Sequence, residues 1–137
     1  MKKKFDKLHL LFCFLLIPLF AQAQLVVTQM PPKITGQKAV VVLVLKNGFS
    51  QKIESARAVC FLLDDQGQMV GQSTKWVIGQ NKTGLEAGAT NAFNFVITSP
   101  QPFTATNLTA KISFSRVVLE DGKLADPKTA VQIQANK

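Results

Sequence analysis

The chain has 137 residues, 47% of them apolar, and a formal net charge of +8 from 16 Lys/Arg against 8 Asp/Glu. That length suits one domain and leaves little room for a second. Part of the charge and much of the apolarity lie in the first 23 residues, and residues 24–137 alone carry 12 Lys/Arg against 7 Asp/Glu, the balance of an ordinary soluble domain.

Residues 1–23 read as a cleaved signal peptide. Lys2, Lys3, Lys4 and Lys7 form a basic start, Leu10 to Phe20 an apolar stretch, and Ala21-Gln22-Ala23 a small-residue cleavage pattern. A retained anchor is the competing reading, but Leu8 to Phe20 is only 13 residues long and is interrupted by His9 and Pro18, too short to span a bilayer. Cleavage after Ala23 predicts an exported protein, periplasmic or extracellular, with no transmembrane segment in the mature chain. It also removes His9 and Cys13, leaving no histidine, no tyrosine and one thiol, Cys60. A histidine-dependent triad, a His-rich metal site and an intramolecular disulfide are thereby excluded.

From residue 24 onward the apolar pattern predicts strands throughout. A short Leu25 to Thr28 strand ends at Met30-Pro31-Pro32, and Ala39 to Leu45 is a β-branched run expected to be buried on both faces. Ile53 to Leu63 stops at Asp64-Asp65-Gln66-Gly67, a hairpin turn, and returns as Met69 to Ile78 with Thr74, Trp76 and Ile78 on one face and Lys75 on the other. Gly79 to Thr90 is a polar loop. Asn91 to Thr98 alternates with Phe93, Phe95 and Ile97 inward.

After Pro100-Gln101-Pro102 a strand from Leu108 alternates through Phe114, then slips phase by one residue near Arg116, which predicts a bulge or bend rather than a new element. Asp121-Gly122 turns the chain, and Ala130 to Gln134 closes it. About seven strands with frequent turns predict an all-β fold, an immunoglobulin-like antiparallel β-sandwich formed by residues 24–137 as one domain; a small barrel is the alternative.

Phe61-Leu62-Leu63-Asp64-Asp65 followed by Gly67, and Leu85-Glu86-Ala87-Gly88 leading to Phe93-Asn94-Phe95, carry a family likeness. With Leu45-Lys46-Asn47 upstream, the stretch from Val41 to Ile97 resembles the FxLYD family of bacterial secreted and surface-attached immunoglobulin-like domains, with Asp64 where the signature has tyrosine. The resemblance implies a binding or spacer module. The same residues have a local physical reading, in which Phe61 and Leu63 point inward while Asp65 and Gly67 shape the turn.

The candidates for chemistry are few. Asp64-Asp65 and Glu120-Asp121 are the only adjacent acidic pairs; paired carboxylates suit hydrolysis or calcium binding, but both precede a glycine-bearing turn, where aspartate caps backbone N–H groups, and neither segment has the alternating oxygen donors of a calcium loop. Cys60 lies between Val59 and Phe61, with no histidine to make it a thiolate, so it is expected in the core rather than in a partner disulfide. Trp76, the only tryptophan, is expected to plug one end of the core; exposed instead, it would be a sugar-stacking platform.

The lysines, Lys82 among them, are scattered without interleaved aromatics, which argues against nucleic acid. The sequence predicts no cofactor and no metal. It predicts a non-enzymatic exported module that binds a protein or glycan at the cell envelope through the loops Gly79 to Thr90 and Pro100 to Thr106. The alternative is a carbohydrate-binding module using Trp76 with Phe49 or Phe103.

Overall fold

The computed structural model describes residues 24–81, 83–104 and 107–136. The signal segment expected at residues 1–23 lies outside the described residues, as do Lys82, Ala105 and Thr106. Nine strands and one helical turn follow in order: β1 (Leu25–Gln29), β2 (Lys33–Thr35), β3 (Lys38–Asn47), β4 (Ile53–Leu63), β5 (Met69–Ile78), β6 (Thr90–Thr98), β7 (Thr109–Leu119), β8 (Leu124–Ala125), α1 (Pro127–Ala130) and β9 (Val131–Ala135).

They form two sheets. In the first, β3 is central: β6 runs antiparallel along one side of it, from Lys38↔Thr98 to Lys46↔Thr90, while β1 and β2 share the other. β1 and β2 are one strand interrupted at Met30-Pro31-Pro32, where proline supplies no N–H for the ladder. β9 extends this sheet by pairing parallel with β1. The second sheet has the order β5-β4-β7-β8. The all-β sandwich predicted from the sequence is therefore the observed architecture, with β2 and β8 as short additions.

The core lies between the sheets. Leu25, Val27, Val41, Leu43, Leu45, Phe95 and Ile97 come from the first sheet, facing Ala56, Ala58, Cys60 and Leu62 of β4 and Ile112, Phe114 and Val117 of β7. The small side chains of β4 accept the larger ones opposite, so the layers interdigitate. β3 departs from expectation: its odd-numbered residues are buried but Val40, Val42 and Val44 are only half-buried, because no third layer among the described residues covers the outer face of this sheet.

Phe61 and Leu63 are also corrected. The inward positions of β4 are Ala58, Cys60 and Leu62, and Phe61 and Leu63 lie half-buried on the opposite face. The phase slip near Arg116 is a bulge, as predicted: Ala58 pairs with Phe114 and Arg57 with Arg116, leaving Ser115 extra in β7.

Candidate binding face

Two bulges meet at Arg57. On one side of β4 is the extra Ser115 of β7; on the other, Ala56 pairs with Ile78 and Arg57 with Trp76, so Val77 is extra in β5. The second bulge overturns the expected placement of Trp76. Uninterrupted alternation would keep Thr74, Trp76 and Ile78 on one face, but the extra residue buries both Val77 and Ile78 and leaves Trp76 on the outer face with Thr74, 37% exposed. Lys75 pairs with Ala58 and so shares the core-facing side of β5, exposed on this edge strand.

The result is one transverse row on the outer face of the second sheet: Trp76 on β5, Arg57 on β4, Arg116 on β7. The Arg57 guanidinium carbon stands 5.9 Å from the Trp76 ring centroid, within cation–π range. Among the described residues neither arginine has an ion-pair partner; the one salt bridge found there joins Lys52 to Glu86 at 3.9 Å.

A cleft of about 240 Å³ opens beside Trp76, between the end of β5 and the start of β6, and its lining includes Gln80, Asn81, Thr83, Asn91 and Phe93. Its floor is held rigidly. Leu85 makes a two-way backbone bridge with Ile53, at 2.9 and 2.8 Å, and Gly88 and Ala89 bond the backbone of Asn47. The loop from Gly79 thus contributes to the lining of this cleft. At the far side of the row, a second depression is lined by Arg57, Arg116, Leu124, Ala125 and Pro127.

The other aromatic candidates lie apart from Trp76 or inward. Phe49 follows β3 and is half-buried against the core; Phe103, also half-buried, donates its N–H to Gly36 O at 3.0 Å near the start of β3. The length of β3 separates the two, about 30 Å at the usual rise per residue, so Phe49 and Phe103 stand at opposite ends of the first sheet.

One aspartate of each acidic pair serves a turn. Asp64 Oδ1 accepts from the N–H groups of Gln66 and Gln68 at 2.9 and 2.8 Å, and Asp121 Oδ1 from Lys123 N–H at 3.2 Å. They occupy opposite ends of β4, since Leu63 precedes Asp64 while Ile53 pairs with Leu119. Roughly 35 Å of strand parts them, far beyond the 5–10 Å at which two carboxylates share one bond.

Cys60 is fully buried and free, and burial pushes its thiol up to about 11. No group of three or more His, Cys, Asp or Glu among the described residues is placed to hold a metal ion. None of the described helices is long and apolar enough to cross a membrane.

No protein-family model matches the chain, and no curated protein matches it. Among solved structures it is similar to IrmA from Escherichia coli, with 14% sequence identity and a TM-score of 0.49, over 82% of this chain and 92% of that one.

Proposed function

We propose that the chain is an exported, non-enzymatic immunoglobulin-like module that works by binding at the cell envelope. The observation that carries this reading is the row Trp76–Arg57–Arg116, three large side chains of the kinds that dominate recognition surfaces, held on a rigid sheet rather than on a mobile loop. The signal-like first 23 residues support export, and the likeness of Phe61 to Gly67 to the FxLYD signature supports a binding or spacer role.

The test is crosslinking of the protein in its native cell envelope, comparing the wild type with a Trp76→Ala/Arg116→Gln double variant. Specific adducts that disappear in the double variant are expected. Identical adduct patterns for the two proteins would place binding elsewhere on the molecule, and absence of any specific adduct would count against a binding module.

A second reading, a carbohydrate-binding module, is favoured by the exposed Trp76 ring. Its neighbours in the cleft, Gln80, Asn81 and Asn91, each offer both donors and acceptors, which suits sugar hydroxyls.

A further inference from the structure

Arg57 and Arg116 are the only two arginines in the sequence, and Trp76 is its only tryptophan. All three stand in one row of one sheet face, although nothing in the core requires it. Every other basic residue of the domain is a lysine. Like charges placed directly opposite on neighbouring strands weaken a sheet, and the pairing Arg57↔Arg116 does so with no carboxylate bound to either among the described residues. Asp126, which stands beside Pro127 of the second depression, is occupied: its Oδ1 accepts from Lys128 N–H at 3.0 Å and caps α1.

The two bulges make the row possible. Each inserts one residue beside Arg57, so that the outward-facing residues of β5, β4 and β7 come level there. Guanidinium groups present parallel N–H donors that match a carboxylate, which a lysine cannot do.

We infer that the row binds an acidic glycan, a polymer carrying uronic-acid carboxylates, with a sugar ring stacked on Trp76 and a carboxylate of the same or the next residue held between Arg57 and Arg116. This rests on the carbohydrate reading of Trp76 and names its ligand class. Three observations favour a glycan over an acidic peptide. Along the strands the row is flanked by the hydroxyls of Thr74, Ser113 and Ser115, with Val59 between the first two, and the apolar Leu124, Ala125 and Pro127 lie only at its β7 end. The amide-bearing cleft of Gln80, Asn81 and Asn91 continues from the tryptophan on the side away from the arginines. The row also crosses the strands, so a ligand along it makes no use of a sheet edge, where an extended peptide pairs.

Trp76 is its own reporter, because no other tryptophan contributes to the emission. Protein produced from the full-length chain is titrated with oligomers of galacturonate, glucuronate and mannuronate, with methyl-esterified galacturonate, in which the same rings lack charge, and with polyglutamate, which has the charge without the rings. Calorimetry and Trp76 fluorescence are read together. The expected result is saturable binding of at least one uronate with a shifted tryptophan emission, roughly tenfold weaker binding of the methyl ester, and roughly tenfold weaker binding of polyglutamate.

Arg57→Gln and Arg116→Gln are each expected to lower uronate affinity about tenfold; Arg116→Gln, which does not touch the Trp76 ring, is expected to leave the ester unaffected. Lys111→Gln removes the same charge from β7, level with Phe61 on the same face, and is expected to change little. All four proteins are compared by thermal melting, so that a loss of folding is separated from a loss of binding. Equal affinity for uronate and ester would overturn the charged ligand while leaving the carbohydrate reading intact. Polyglutamate binding as tightly as uronate, or Lys111→Gln weakening it as much as Arg116→Gln, would overturn the glycan in favour of diffuse electrostatics. No binding of any sugar would overturn both.

Discussion

Asn47 is the only buried polar side chain among the described residues, fully shielded from solvent, and every polar atom of its amide is used. Its Nδ2 donates to Gln51 O and Leu85 O, both at 2.9 Å, and its Oδ1 accepts from Phe49 N–H at 2.8 Å. One side chain thereby ties the β3–β4 connection to the loop that floors the cleft. Asn47→Ala takes the side-chain partner from Gln51 O and Phe49 N–H and leaves Leu85 O with the Ile53 N–H alone, so a loss of about 2–4 kcal/mol in urea unfolding is expected. Asn47→Asp is expected to lose more, because a carboxylate would face those two carbonyls with nothing to donate. Cys60 gives the second residue-scale expectation. Its thiol titrates near 11 in the folded protein against 9.0 unperturbed, so the folded state holds its proton longer. The stability this contributes is complete below pH 9 and is lost as pH rises towards 11. Thiol reagents at pH 8 should therefore label the native protein far more slowly than the urea-unfolded chain. The burial of Cys60 was legible from its apolar neighbours; that of Asn47 was not, because only Phe49 and Gln51 are local partners and the loop that covers it brings Leu85 from 38 residues away.

At the scale of elements, bulges decide which face a residue occupies. The one in β7 was visible in the sequence, since Ala110, Ile112 and Phe114 give way to Val117 and Leu119. The one in β5 was hidden: Thr74, Trp76 and Ile78 continue the alternation on paper, and only the pairing with β4 shows that Val77 is inserted. The face of Trp76 could not be read for that reason, although the rarity of arginine in the sequence was available as a clue. The β5–β6 crossover depends on Gly79, which has φ +89° and lies so close to the Glu54 carbonyl that a Cβ would overlap it. Gly79→Ala is expected to cost about 2 kcal/mol or more in thermal or urea unfolding and to disturb the cleft beside Trp76. On the opposite side of the sandwich, Asp126→Ala removes the cap of α1 and should cost about 1 kcal/mol by the same measurement.

For the whole molecule, the path of the last strand sets both shape and accessibility. β8 pairs with β7 only at Val117 and Val118; Pro127 then ends that ladder, and α1 carries the chain across to the first sheet, where β9 lies beside β1. The seven longer strands and the sandwich were legible because turn residues punctuate the apolar runs so regularly, whereas the short β2 and β8 were not. This change of sheets was not, because Ala130 to Gln134 has the same alternation whichever neighbour it pairs with. It frees the outer edge of β7 from Thr109 to Arg116 among the described residues, apart from Ala110 O, which accepts from Gln29 Nε2 at 2.6 Å.

Its other consequence is mechanical. β1 and β9 run in the same direction with five residue pairs in register, from Leu25↔Val131 to Gln29↔Ala135. A pull applied before Leu25 and after Ala135 slides one strand along the other, loading the ladder rungs together, whereas a pull that lifts β6 away from β3 breaks them one at a time. Stretched between its two ends, the domain should yield at a distinctly higher force than when β6 is peeled from its edge, a comparison that single-molecule force spectroscopy with handles at those positions would make directly. A module that holds a surface ligand while tethered in a moving envelope would be loaded along its strongest axis.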